Sequence, residues 1–273
     1  MAKKARKEEW KVWGNVFDNF TNRNLFKLKS QGYFEELESP ISVGKEANIF
    51  SAITKDKKRI IIKIYRLETC NFNQMYSYIR QDPRYSGMKK QRRKVIFAWT
   101  QREHRNLLKA REVGVRVPLV HTSVDNILVI EYIGDDYIAL QLKNHIPKNK
   151  TKFLNKIIEY MHLMWKKARL VHGDLSHFNI LNYNESPVFI DFSQTADIKT
   201  PNAKELLIRD VKNICIFFRK IGLKNLDEEK ILGQIQGIVV KLAPGFKYLY
   251  VSRYDFDINK YKKEIFEYLK KHG

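Results

Sequence analysis

Cysteine is nearly absent from this 273-residue chain: Cys70 and Cys215 stand far apart, and neither has a partner at redox or metal-ligand spacing. That excludes a disulfide framework and a thiolate metal site, and it suits a reducing cytosol or nucleus. The 7 prolines and 12 glycines are too scattered to form a linker, and there is no internal repeat or low-complexity segment. No apolar run approaches the roughly 20 residues that cross a bilayer. The opening MAKKARKEEW also lacks the apolar stretch of a secretory signal. The expectation is a soluble, cytoplasmic protein with access to the nucleus, and no membrane partner.

Acidic residues are the third shortage. Asp and Glu number 30 against 51 Lys and Arg, a formal charge of +21. A field of that sign draws polyanions. Basic clusters occur at Lys3–Lys7, Lys55–Arg59 and Lys89–Lys94 and in the last dozen residues, with no amphipathic anchor or lipidation signal beside them. Nucleic acid is therefore favoured over membrane as the partner, and a merely well-solvated surface is the plain alternative.

What is present is patterned. Ile41 to Tyr65 reads as a meander: ISVG, then ANIFSAIT, a charged turn KDKKR, and IIIKIY, rich in β-branched residues. Val95 to Arg111 carries apolar residues at helical spacing and ends near Gly114 and Pro118, and NILVIEYIG follows as an apolar strand. After Thr151 a helix predominates, with Phe153, Ile157, Ile158, Met161, Leu163, Met164 and Trp165 on its apolar face. Short strands come next in LVHGDL, NILNYN and SPVFIDF, with Asn184, Glu185 and Ser186 as a hairpin turn; two or three helices lie beyond Pro201. This order predicts a two-lobed α+β fold, with a helical extension over 1–40, a β-rich lobe over 41–134 and a helical lobe over 135–273.

Chemistry concentrates in LVHGDLSHFNILNYNESPVFIDF, which holds Asp174, Asn179 five positions later and Asp191 twelve after that. Each alone would pass for a turn residue. Together, Asn179 and Asp191 offer two oxygen ligands to one hard cation such as magnesium, and Asp174 stays free to orient or deprotonate an acceptor. Protein kinases space an aspartate, an asparagine and an Asp-Phe segment in this way.

Lys63 sits inside IIIKIY, where an ammonium is costly to bury without an anionic partner. Glu103, on the following helix, is the natural partner, since a strand lysine and a helix glutamate together hold ATP phosphates in this fold. Gly44, Lys45, Glu46 and Ala47 lie between two strands, where backbone N–H groups can face phosphate or the glycine can simply close a hairpin. His172 is assigned a packing role, and the remaining histidines show no metal spacing.

The runs ISVGKEANIFSA, IIIKIYR, AWTQREHRNLLKAREVGVRVP, ILVIEYIG, LVHGDLSHFNIL, VFIDFSQ and TPNAKELLIRDVKNICIFF, from about Phe20 to Phe218, together resemble the RIO family of atypical protein kinases, most closely its first subfamily. The resemblance implies a protein-kinase-like fold with ATP and magnesium as cofactors. It also implies a phosphate loop from Ser42 to Asn48 that includes Gly44, Lys45, Glu46 and Ala47. Lys63 and Glu103 match the lysine–glutamate pair, and the backbone of Glu131 and Ile133 the adenine edge. Asp174 matches the catalytic aspartate, and Asn179 and Asp191 the metal ligands. In some members this last aspartate accepts phosphate itself. The family works in maturation of the small ribosomal subunit, which implies a pre-ribosomal particle as partner. Val43 stands where the family loop usually has threonine, Ser176 where typical kinases have lysine, and His177-Phe178 where an acidic residue and tyrosine are usual.

Two competing readings share these residues. A small-molecule phosphotransferase of the aminoglycoside or choline kinase type also carries HGDL with an asparagine five later, but not the GKEA loop or the LLIRD helix. An inactive RNA-binding scaffold would use the basic surface alone, and retention of Lys63, Asp174, Asn179 and Asp191 argues against it.

Overall fold

The computed structural model describes residues 17–237 and, for the backbone alone, 239–240 and 249–250. The basic run at Lys3–Lys7 and the basic final dozen lie outside those residues.

The first lobe is built on an antiparallel sheet of five strands, ordered β1-β2-β3-β5-β4. These are β1 (Glu36–Val43), β2 (Ala47–Ile53), β3 (Arg59–Tyr65), β4 (Val120–Val124) and β5 (Ile127–Glu131). Helix α1 (Asn19–Ser30) lies on one face, where Leu25 and Leu28 share a core with Phe50, Ile60, Ile62, Ile64, Ile127 and Val129. Alternation along β3 sends Ile60, Ile62 and Ile64 to that face and therefore Lys63 and Tyr65 to the other. β1 begins at Glu36, so the boundary expected at residue 40 falls inside a strand. Pro40 explains the difference: the ladder register shifts on both sides of it, and a proline, lacking an N–H, is tolerated on an edge strand at such a bulge.

Two elements between the expected ones emerge only in three dimensions. Helix α2 (Phe72–Gln81), with a 3-10 turn at Pro83–Tyr85, separates β3 from the long helix α3 (Arg92–Glu112). It buries only Met75 and Ile79, too thin an apolar stripe to read from sequence. The polar β4 sequence VHTSV has no fully buried residue.

The second lobe opens with α4 (Lys150–Leu163), which runs into a π-helical turn over Met164–Ala168. Four short strands follow: β6 (Leu170–Val171), β7 (Ile180–Tyr183), β8 (Ser186–Phe189) and β9 (Ala196–Asp197). β6 pairs with β9 and β7 with β8. The β7–β8 turn places Asn184 and Glu185 at φ of 51° and 59°, the two-residue hairpin geometry that such residues favour. α5 (Ala203–Lys220) and α6 (Glu228–Gln236) follow, and beyond them Val239–Val240 pairs antiparallel with Leu249–Tyr250.

The first half of α3 packs with α2 through Trp99, Met75 and Ile79. The second half puts Leu107 and Ala110 into the large core formed by Phe153, Ile157, Phe189, Val211 and Phe218. One helix thus belongs to both lobes, and Glu103 lies near their junction. The architecture is the expected two-lobed, kinase-like α+β fold.

Candidate active site

Lys63, on the inward face of β3, is 7% exposed and bridges two carboxylates: its Nζ lies 2.8 Å from Glu103 Oε1 and 3.0 Å from Asp191 Oδ1. Glu103 is itself only 1% exposed and also accepts the Tyr65 hydroxyl. Tyr65 is two residues from Lys63 and so on the same strand face. Burial pushes the lysine pKa down, but Asp191 and Glu103 outweigh it and the net shift is upward, so the ammonium persists. Burial pushes Glu103 up, and Lys63, shared with Asp191, only partly offsets it.

Asp191 adopts a left-handed backbone, φ 61°, unusual for a residue with a side chain. Its Oδ1 accepts from Lys63 and, at 2.7 Å, from the Ser193 hydroxyl. Burial would raise its pKa, yet the Lys63 charge, helped by Ser193, holds it at about 2. Its carboxylate is permanently anionic near neutral pH.

The loop carrying Asp174 is gripped from behind. Gly173 has φ +80°, and a Cβ there would stand 2.9 Å from the Gln194 carbonyl oxygen, so glycine is required. The N–H groups of Gly173 and Leu175 each donate to Asp210 of α5 at 2.8 Å, and Arg209 donates to the Gly173 carbonyl. Asp174 is thereby fixed at its backbone on both sides. Its own carboxyl is raised by burial and then by the Asp191 charge. Burial pushes Asp210 up to about 7, against the pull of the two N–H groups.

Asn179 donates its amide to the Asp174 carbonyl at 2.8 Å and to Asp174 Oδ2 at 3.2 Å, and its own carbonyl accepts the Ile190 N–H at 3.0 Å. That last bond sets Asn179 beside the residue preceding Asp191. Asn179 Oδ1 and Asp191 Oδ2 have no hydrogen-bond donor among the described residues. Two free hard oxygens fit magnesium. No group of three His, Cys, Asp or Glu ligands occurs among the described residues, so such a cation would complete its shell with phosphate and water oxygens.

The glycine loop is a tight hairpin: the Gly44 N–H donates to the Ala47 carbonyl at 3.0 Å, and a Cβ on Gly44 would come within 3.0 Å of that oxygen. Ala47 pairs with Tyr65 and Ile49 with Lys63, so the turn stands at the Lys63 end of β3. Ser42 and Lys45 are exposed, and the Glu46 carboxyl is raised by burial and next by Asp191. Val43, in place of a threonine, is 68% exposed. At the expected adenine edge, the Glu131 N–H is bonded to the Leu119 carbonyl, and the Glu131 carboxylate accepts from Arg116 at 2.7 Å. The Ile133 carbonyl accepts from Ala139, whereas the Ile133 N–H donates to no described residue. His172, 3% exposed, has Nε2 3.1 Å from the Ile190 carbonyl and is pushed down to about 4 by burial, which makes it a neutral packing group.

The sequence reading did not assign Tyr65, Ser193, Gln194 or Asp210. Strand parity could have found Tyr65; Asp210 closes the LLIRD run, but nothing local ties it to the HGDL loop, because its partners lie 35 and 37 positions away.

A profile of the RIO domain matches residues 48–231. The chain is 40% identical over 223 residues to the RIO-type serine/threonine-protein kinase Rio1 of Methanocaldococcus jannaschii, covering 81% of this chain and 76% of that one. It is 37% identical to the protein of the same name from Haloferax volcanii, over 79% and 74% of the two chains. With the serine/threonine-protein kinase RIO1 of Homo sapiens the identity is 34%, over 75% of this chain but 37% of the human one. The Rio2 kinase of Chaetomium thermophilum, solved as an ADP/Mg2+-phosphoaspartate complex, shares the fold, with a TM-score of 0.57 at 21% identity over 78% of this chain and 65% of that one. With the fold, the lysine–glutamate pair and the domain match in agreement, the chain belongs to the RIO family of atypical serine/threonine protein kinases.

Proposed function

We propose that the chain is an ATP- and magnesium-dependent kinase and ATPase that acts on a precursor of the small ribosomal subunit. The observation that carries this reading is the Lys63 ammonium shared between Glu103 and Asp191, a buried cation held at the edge of a carboxylate cluster. Lys63 would hold nucleotide phosphates, and Asn179 and Asp191 would hold magnesium, which when bound neutralises charge on the transferring phosphoryl group. Asp174 orients the acceptor hydroxyl or water and takes its proton.

In the ATPase branch, a carboxylate oxygen of Asp191 forms the new bond to the γ-phosphorus, and ADP leaves with the electron pair of the broken β–γ linkage. Water then attacks the phosphorus, Asp174 receives a proton, and phosphate departs to regenerate the Asp191 carboxylate. The phosphoaspartate named for the Chaetomium Rio2 complex is a precedent in a related fold.

The formal charge of +21 supports a polyanionic partner. So does the exposed run Lys89–Lys94. Within it, Lys90 lies over the rings of Phe72 and Tyr76 at 5.8 and 5.5 Å, and Arg93 over that of Phe20 at 5.2 Å. The corresponding compartment is the cytoplasm.

The test is calorimetry with ATP in the presence and absence of magnesium, together with phosphate release with and without purified small-subunit precursors. Magnesium-dependent binding and turnover, altered by the particle, are expected. Absence of nucleotide binding overturns the reading.

A further inference from the structure

The site described so far does not use α2, yet α2 reaches it. Tyr78, near the end of that helix, donates its hydroxyl to Gln194 Oε1 at 2.9 Å across 116 positions of sequence. The Tyr78 ring is itself held: Trp99 meets it edge-on with centroids 5.8 Å apart, and the Arg102 guanidinium lies 5.6 Å from its centroid. A phenol that donates must find the amide oxygen, which turns the other end of the amide outward. That end, Gln194 Nε2, faces Asp174 Oδ2 at 3.5 Å.

The same Oδ2 receives the Asn179 amide at 3.2 Å. Two amide N–H groups, from residues 5 and 20 positions further along the chain, thus converge on one oxygen of Asp174. The other oxygen accepts no hydrogen bond from the described residues. A carboxylate held by one oxygen has a defined free lone-pair direction on the other, which is what a group receiving a proton requires.

The same insert also braces the loop that carries Gln194. Asp82, just past α2, pairs with Arg102 at 3.3 Å, and Arg102 donates to the Ser193 carbonyl at 3.3 Å. Arg84 donates to Asn106 Oδ1 at 3.1 Å, and Asn106 donates to the carbonyls of Phe192 and Thr195 at 3.3 and 3.1 Å.

We propose that Tyr78 and Gln194 are positioning residues for Asp174: the Tyr78 hydroxyl orients the Gln194 amide, the amide holds one oxygen of Asp174, and the docking of α2 thereby determines whether the other oxygen faces the phosphoryl acceptor. The catalytic consequence rests on the phosphotransfer reading above; the contact itself does not.

The experiment uses the full chain and three variants. Tyr78→Phe removes only the hydroxyl and should lower kcat about three- to tenfold, the scale of one hydrogen bond, with KM for ATP unchanged. Gln194→Glu keeps the shape but replaces the donor with a charge facing Asp174, and it should lose at least as much as Gln194→Ala. The double variant Tyr78→Phe/Gln194→Ala should be no slower than Gln194→Ala, because both act through one contact. The Gln194 side-chain amide signals, assigned in a 15N-labelled sample by their disappearance in Gln194→Ala, should shift in Tyr78→Phe.

Full activity in Gln194→Glu, or additive losses in the double variant, overturns the proposal. So do amide signals that stay in place in Tyr78→Phe. If the unaltered chain neither binds nor turns over ATP, the phosphotransfer reading falls separately, and the amide signals still decide whether Tyr78 sets Gln194.

Discussion

Lys63 and Glu103 lie 40 positions apart in sequence and meet through a 2.8 Å charge-assisted hydrogen bond, which ties the third strand of the sheet to the helix that spans both lobes. Both partners are buried: Glu103 leans on Lys63 to hold its charge, and Lys63 on Asp191 as well as Glu103.

Replacing that lysine should therefore have two effects. Lys63→Ala leaves Glu103 buried without its cation and should destabilise the fold by about 3–5 kcal/mol, the usual result of breaking a buried pair. It should also weaken magnesium-nucleotide binding at least about tenfold, through loss of a charge-assisted phosphate contact. Urea melts and calorimetry measure the two separately. Unchanged nucleotide affinity in a folded variant would remove Lys63 from the site.

Asp191 should become labelled when the chain is incubated with γ-labelled ATP and no acceptor. An acyl phosphate is cleaved by hydroxylamine and a serine phosphate is not, so the label should be lost on that treatment and absent from Asp191→Asn. Label that survives hydroxylamine would place the phosphate on a hydroxyl residue and exclude the phosphoaspartate branch.

Binding to structured RNA should be electrostatic. The logarithm of the association constant should fall almost linearly with the logarithm of salt concentration, with a slope that grows with the number of phosphates contacted. Charge reversal of Arg92 and Arg93, both exposed in the run Lys89–Lys94, should flatten that slope by about two contacts. A slope that the reversal does not change would move the contact to another face.

Asp210 should leave a mark on stability as a function of pH. Its folded pKa of about 7 lies above the ordinary 3.8, so between those values the unfolded chain has released a proton that the folded chain retains. Stability from this group is then full below 3.8 and is lost as pH rises toward about 7. His172, pushed down to about 4 from 6.5, acts in the opposite sense over much of the same range, since the unfolded imidazole takes up a proton that the folded one does not. The difference between the unaltered chain and Asp210→Asn isolates the aspartate, and it should fall with pH across this window in urea-midpoint measurements. A difference that is flat in pH would mean that Asp210 is ionised throughout.

The kinase-like fold and the principal polar groups of the site were legible in the sequence because their signals are local. A lysine inside IIIKIY announces itself by breaking an apolar strand, and strand parity then assigns its face. Asp174 and Asn179 occupy one short loop, and Asp191 lies just past the β7–β8 hairpin that leaves from it, so the hairpin's return brings them close. Glu103 could be chosen because a buried ammonium demands an anion and the apolar-periodic helix from Val95 to Arg111 supplies one.

Tertiary structure decided which groups support these. Asp210 belongs to the LLIRD run, but its neighbours do not say what it binds, and only packing of α5 against the HGDL loop brings its oxygens to the Gly173 and Leu175 N–H groups. α2 has too narrow an apolar stripe to declare itself, and β4 too little burial. Nor could spacing indicate that Tyr78 would find Gln194 across 116 positions. Local patterns follow from backbone period and the cost of burying charge, which every residue carries with it. Contacts between distant residues depend on the shape of the whole core, and they exist only once it has formed.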